Sequence, residues 1–182
     1  LEDEAGYYAV LLPLKKIPQY QFQVTRGSRK EKFFDAYACP CQITEIEERA
    51  FCAGVYYKAY EKLGAHPMEI DGIRGTYFAV WAPNAMRVSV VGDFDRWDGI
   101  RLPMHRMPMS GIFELFVPGV KAGSAYQYEI KVKGGEVHRK SDPYGNGTQE
   151  APSVISVVED LRGFSWKDEA WLEKRKKYDS RM

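Results

Sequence analysis

The sequence is short of the residues that staple secreted folds or hold metals. It has three cysteines, Cys39, Cys41 and Cys52, an odd number at spacings that match no zinc pattern, and three histidines, His66, His105 and His138, scattered through different segments. Neither a disulfide framework nor a metal site is expected, and the thiols read as reduced. Cys39 and Cys41 flank Pro40 alone, whereas a thioredoxin-type motif places two residues between its thiols. Charge of one sign is lacking too: 26 Lys plus Arg stand against 25 Asp plus Glu, a formal charge of +1. No global field therefore draws the chain to nucleic acid or anionic lipid. No apolar run approaches the ~20 residues that span a bilayer, and residues 1–20 lack the basic start and apolar centre of an export signal. No membrane partner is expected, and the expected location is cytoplasmic. The one GxG, Gly145 and Gly147, neither follows a strand nor opens a helix. Asp93, Asp95 and Asp98 fall within one short loop, where acids serve Asx turns more readily than they flank a scissile bond from two sides. No catalytic residue, cofactor or metal ligand is assigned.

What the chain does have is 45% hydrophobic residues in 182 and an aromatic share of 14%, with 12 Tyr and 4 Trp. That is enough to bury a core, and the rings suit a β core or a stacking surface. An internal repeat organises them. GYYAVLLPLKK (Gly6 to Lys16) lies over GIFELFVPGVK (Gly111 to Lys121), YQFQV (Tyr20 to Val24) over YQYEI (Tyr126 to Ile130), and Asp35-Ala36-Tyr37 over Asp142-Pro143-Tyr144. Each copy reads as strand, Pro-containing turn, strand, charged hairpin and Asp-X-Tyr corner. Only the second copy is preceded by GTYFAVWAP (Gly75 to Pro83) and RVSVVGDF (Arg87 to Phe94) and closed by SVISVV (Ser153 to Val158). The fold class is mainly β: a sandwich over 67–160 and, over 1–43, the C-terminal half of a truncated β-sandwich module.

Between the copies, 44–66 reads as a helical linker. Thr44 and Glu47 have capping-box spacing, Gly64 stands where a C-cap would, and Ile46, Ala50, Ala53, Tyr57, Tyr60 and Leu63 form a stripe expected to be buried. Gly54 is a candidate break. A short terminal helix is expected within 161–182, with Ser165 as its cap, Asp168 and Glu169 in its first turn and Lys174 to Lys177 near its end. Residues 1–40 are expected to be the least stable part, with self-association among their outcomes, and removal of residues 1–43 is expected to leave the sandwich's melting unchanged.

The candidate binding loop is GDFDRWDG (Gly92 to Gly99), where a strand ends and Trp97 stands between Arg96 and Asp98. A sugar ring offers an apolar C–H face to an indole and a rim of hydroxyls to polar groups, so Trp97 with Asp95, Arg96 and Asp98 suits a carbohydrate. Trp97 closing the end of the sandwich fits the residues equally well. Trp81 alternates with Phe78 in a strand and reads as packed in the core or on a neighbouring domain, while Tyr126, Tyr128 and Tyr144 read as core or corner residues first.

Together with YEKLGAHP (Tyr60 to Pro67), SGIFELFVPG (Ser110 to Gly119) and KSDPYG (Lys140 to Gly145), these motifs in this order resemble the N-terminal region of bacterial 1,4-α-glucan (glycogen) branching enzymes. The stretch from Tyr60 to the end carries the match; its middle is similar to the family-48 carbohydrate-binding module, an immunoglobulin-like β-sandwich, and Trp166 to Arg175 to the linker that enters the catalytic barrel. The resemblance implies a non-catalytic glucan-binding and domain-positioning segment, with α-1,4-glucan or glycogen and the barrel of the same polypeptide as partners. It also implies Trp81, Asn84, Asp142 and Tyr144 at a domain interface. The parent moves an α-1,4-glucan piece to an α-1,6 linkage through an Asp nucleophile and a Glu acid/base, motifs expected outside these 182 residues. Two other readings stay open: a stand-alone glycogen-targeting or protein-interaction module, and the N-terminal module of a debranching enzyme or trehalose-releasing hydrolase.

Overall fold

The computed structural model describes residues 9–15, 18–150, 152 and 154–178. A hairpin of β1 (Gln21–Arg26) and β2 (Arg29–Phe34) is followed by helix α1 (Glu45–Cys52) and by β3 (Gly64–Ile70), β4 (Ile73–Trp81), β5 (Ala85–Gly92), β6 (His105–Arg106), β7 (Ile112–Pro118), β8 (Ala125–Val132), β9 (Val137–Lys140), β10 (Gly147–Thr148) and β11 (Ser156–Val157). Helix α2 (Glu169–Arg175) comes last, and single 3-10 turns occupy Ala36–Ala38, Ala59–Glu61 and Leu161–Gly163. The strands from β3 onward form two antiparallel sheets, ordered β3-β4-β7-β6 and β10-β11-β8-β5, with β9 on the edge of β8. Because side chains alternate along a strand, β4 sends Phe78 and Val80 inward, β7 sends Phe113 and Leu115, and β5 and β8 answer with Val88, Val90, Tyr126 and Tyr128. This core lies between the sheets, as the β-sandwich reading requires.

The same alternation builds a second core on the outer face of the first sheet, where Tyr77, Ala79, Ile112 and Phe116 meet Ile43 and Leu63 of the linker. Two buried carboxylates fasten that layer. Glu114 of β7 accepts the backbone N–H groups of Gln42 (3.0 Å) and Ile43 (3.2 Å) and the Tyr77 hydroxyl (2.7 Å). Glu48 of α1 accepts the Met109 and Ser110 amides and the Ser110 hydroxyl, each at 2.9 Å. Burial lifts the Cys41 thiol to about 11, with Glu114 nearby adding to it, so Cys41 is held in its unreactive, protonated form.

The helical linker differs from its expectation. The capping box forms, with Glu47 N donating to Thr44 Oγ1 and Thr44 N to Glu47 Oε2. The helix nevertheless stops at Cys52, before Gly54 at φ +72°, a conformation that glycine adopts at little cost. Of the expected stripe Leu63 is buried, but Ile46 and Tyr57 are more than 80% exposed. Glu48 stands two residues from Ile46 and so on the opposite side of the helix. Three donors wait for its carboxylate, and satisfying them turns Ile46 to solvent. The stretch read as the helix end instead opens β3 at Gly64.

In the first repeat the hairpin forms, but no leading strand is present among the described residues. Tyr7 and Tyr8 lie outside the described residues, and 9–14 are exposed and without strand structure. Their counterpart β7 is hydrogen-bonded on both sides, by β4 and β6; among the described residues no strand flanks 9–14. The corner repeats closely. Tyr20 donates to Asp35 Oδ2 (2.5 Å) as Tyr126 does to Asp142 Oδ2 (2.7 Å), and the amides of Tyr37 and Tyr144 donate to Oδ1 of those same aspartates at 2.9 and 2.8 Å. At the far end α2 starts with Asp168, not Ser165, in the cap position, and no side chain caps it. No helix among the described residues is long and apolar enough to cross a membrane.

Candidate functional site

The GDFDRWDG loop leaves β5 at Gly92 and returns at residues 102–104, where Leu102 and Met104 bond to Val90 and Val88 along the edge of β5. Its turn is tight enough to place two successive non-glycine residues, Arg96 (φ 65°) and Trp97 (φ 60°), in the left-handed region. Each costs roughly 1–2 kcal/mol, and Asp95 offsets that cost. Its Oδ1 accepts the amides of Gly92 and Trp97, both at 2.9 Å, and Trp97 N also donates to Gly92 O at 2.9 Å. Asp95 is only 3% exposed, so it holds the loop from within and does not face solvent. Its Oδ2 is buried without a hydrogen-bond partner among the described residues. Burial raises its pKa, against the backbone N–H groups of Gly92, Trp97 and Asp98 that lower it.

Trp97 itself is half-buried. Its indole Nε1–H donates to Asp93 Oδ1 (2.9 Å), and its carbonyl accepts from Arg139 Nη2 of β9 (2.8 Å). Arg139 also reaches Glu129 Oε2 on β8 (3.4 Å), and Glu129 Oε1 pairs with Arg87 of β5 (3.0 Å). This chain runs beneath the loop, because a Cβ on Gly99 would fall 1.8 Å from Glu129 Oε1. Only glycine permits that approach. Asp98 accepts from Ile100 N (3.1 Å) and Arg101 Nε (3.2 Å) in an Asx turn, and Arg96 is exposed. The structure therefore leaves Trp97 half-buried with its indole tied to Asp93, leaves Arg96 exposed, keeps Asp98 partly engaged and buries Asp95.

Asn84 sits exposed in the turn entering β5, at the opposite end of that strand from the Trp97 loop. Trp81, 53% exposed, packs edge-on against Phe51 of α1 and donates from Nε1 to Ser110 O (2.9 Å). Asp142 is buried under the hydroxyls of Tyr126 and Tyr128, and Tyr144 stands half-open beside it. The reading of the sequence missed Arg139, Glu129 and Arg87. Each is an ordinary charged strand residue, and only the register that sets Glu129 opposite both Ser89 and Arg139 brings them together.

The chain thus holds a two-sheet sandwich with a half-buried tryptophan in a polar loop fastened by Asp95 and Arg139. Residues 62–145 match the family described as Carbohydrate-binding module 48 (Isoamylase N-terminal domain). Over nearly its whole length the chain is similar to the N-terminal region of 1,4-alpha-glucan branching enzymes. It is 41% identical to 1,4-alpha-glucan branching enzyme GlgB of Synechococcus sp. (strain JA-3-3Ab), over 96% of this chain and 24% of that protein. It is also 41% identical to the enzyme of the same name from Thermosynechococcus vestitus (strain NIES-2133 / IAM M-273 / BP-1), over 95% and 23%. The chain thus spans about a quarter of the length of these curated relatives. Among solved structures, pullulanase from Bacillus acidopullulyticus is similar with a TM-score of 0.44 and 25% identity, over 54% of this chain and 12% of that one.

Proposed function

We propose that this chain is the glucan-binding and domain-positioning segment of a glycogen branching enzyme, serving glycogen biosynthesis. The parent's transfer of α-1,4-glucan pieces to α-1,6 linkages belongs to other parts of the longer polypeptide. The observation that carries the reading is Trp97, whose backbone is held by buried Asp95 at its N–H and by Arg139 at its carbonyl and whose indole Nε1–H is tied to Asp93, so that stacking on a glucose face orders little that is not already ordered. Arg96 and the outer edge of Asp98 supply polar partners. Trp81 and Asn84 are proposed for the contact with the catalytic barrel, and half-exposed Trp81 backed by Phe51 is the part of that surface best suited to packing; Asp142 is buried and holds the corner that carries Tyr144 from within.

Burying roughly 100 Å² of apolar surface at ~25 cal/mol per Å² yields about 2.5 kcal/mol before ordering costs. A single stacked sugar therefore implies millimolar dissociation, near −4 kcal/mol, and retention on glycogen draws on many chain ends. In affinity electrophoresis through glycogen gels the wild-type chain should be retarded and Trp97→Ala should migrate faster. Equal retardation of the two would remove Trp97 from the site. Incubated alone with amylose, the chain should leave the iodine stain unchanged; loss of stain would reveal a carboxylate pair that this reading does not contain.

A further inference from the structure

A groove of about 670 Å³ opens where the 3-10 turn of Ala59–Glu61 approaches the corner after β9. Its lining includes Tyr60, His66, Pro67, Tyr144, Asn146 and Arg162. The size falls in the range of small-ligand sites, roughly 300–1,000 Å³.

The walls are fixed from the core. Asp142 is clamped by Tyr126 and Tyr128, its amide donates to Ser156 Oγ (2.9 Å), and it anchors the Tyr144 amide through Oδ1. The opposite wall comes close because Gly64, at φ +111°, has no side chain: a Cβ there would lie 3.0 Å from Tyr144 O. The repeat supplies a control. Tyr37, which occupies the corner position in the first copy, donates its hydroxyl to Pro103 O (3.1 Å) and serves packing. The hydroxyl of Tyr144 has no hydrogen-bond partner among the described residues, and its ring is 41% exposed; Tyr60 is 61% exposed. Tyr37 is itself 55% exposed, so the two corners differ in the partner of the hydroxyl and not in the exposure of the residue. Arg162 is held planar by a two-pronged pair with Asp160 (2.8 and 2.6 Å). Two open phenol rings with an imidazole, an amide and a guanidinium match the apolar face and hydroxyl rim of a pyranose.

We propose that this groove is a second α-glucan site, distinct from the Trp97 loop, in which Tyr60 and Tyr144 stack on a maltooligosaccharide. The proposal rests on the reading of the chain as a glucan binder, and the test separates the two. Amide shifts of the 182-residue chain are followed during titration with maltohexaose, for the wild type, Trp97→Ala and Tyr60→Ala. Amides of His66, Tyr144, Asn146 and Arg162 should move, should still move in Trp97→Ala, and should titrate at least threefold more weakly in Tyr60→Ala. Shifts confined to 92–101 would overturn the groove and leave the Trp97 site standing. Groove shifts without any in 92–101 would support the groove and overturn the Trp97 reading. No shifts at either place would overturn both, and an unchanged groove affinity in Tyr60→Ala would overturn stacking there. The wild-type arm depends on no variant, and Tyr60 lies on an exposed turn, so folding defects leave the outcome readable.

Discussion

Two carboxylates show how the same group acquires opposite roles from its surroundings. Asp95 is buried with one oxygen unpartnered, and its pKa is raised. A raised acid favours the folded state below its unfolded pKa of 3.8 and loses that contribution as pH rises through the folded value, so at neutral pH the charge is a cost. Asp95→Asn keeps an acceptor for the Gly92 and Trp97 amides and removes the charge. It should be as stable as wild type or more stable at pH 7, by roughly 1 kcal/mol. The difference should fade below about pH 3.8, and chemical denaturation at the two pH values measures it. Gly99→Ala should cost about 1–3 kcal/mol in the same assay, since its methyl must displace a Glu129 that two arginines hold. Trp97 was legible in the sequence because a large ring between Arg96 and Asp98 has no apolar period to join. The inward turn of Asp95 was not, because it follows from two positive φ angles that Arg and Trp do not advertise.

Among the elements, α1 is held less by its own helical tendency than by Glu48. Burial, the largest influence, pushes the Glu48 pKa up, but the amides of Ser110 and Met109, the Ser110 hydroxyl and the charge of His105 together bring it below the usual 4.5. A lowered acid contributes stability above its unfolded pKa and loses it as pH falls through the folded value. Glu48→Gln should therefore destabilise by about 1–3 kcal/mol at pH 7, and the gap should narrow below about pH 4.5; thermal melts across pH check this. The strands β4, β5, β7 and β8 were readable because Val, Phe and Tyr alternate cleanly and turn formers bound them. The helix face was misread because its buried member is a carboxylate, and apolar periodicity has no means of pointing to one.

At the scale of the molecule, the repeat made the sandwich and the hairpin legible, but not the layer between them. Removing residues 1–43 was expected to spare the sandwich. The structure contradicts that, since Gln42 and Ile43 supply two of the donors to buried Glu114 and Ile43 belongs to the outer core. Deleting 1–34 should change the melting temperature little, whereas extending the deletion through residue 43 should cost about 3 kcal/mol or more by leaving that carboxylate under-satisfied. Hydrogen exchange on the intact chain should show β1 and β2 exchanging far sooner than β4 and β7. Equal protection in a proven monomer would contradict the placement of the hairpin outside both cores.

The twin Asp-Tyr corners also bear on the order of events as the chain folds. Tyr20 closes on Asp35 across only 15 residues, and a hairpin of that span forms in roughly microseconds. The partners of β4 on β7 lie much further along the chain, and such long-range pairings form far more slowly. For that interval Phe22 and Phe33, which meet at a tilt across the ribbon, form an aromatic surface on a chain whose main core does not yet exist. Refolding yield should therefore fall as protein concentration rises, with collisions between early hairpins competing against closure of the sandwich.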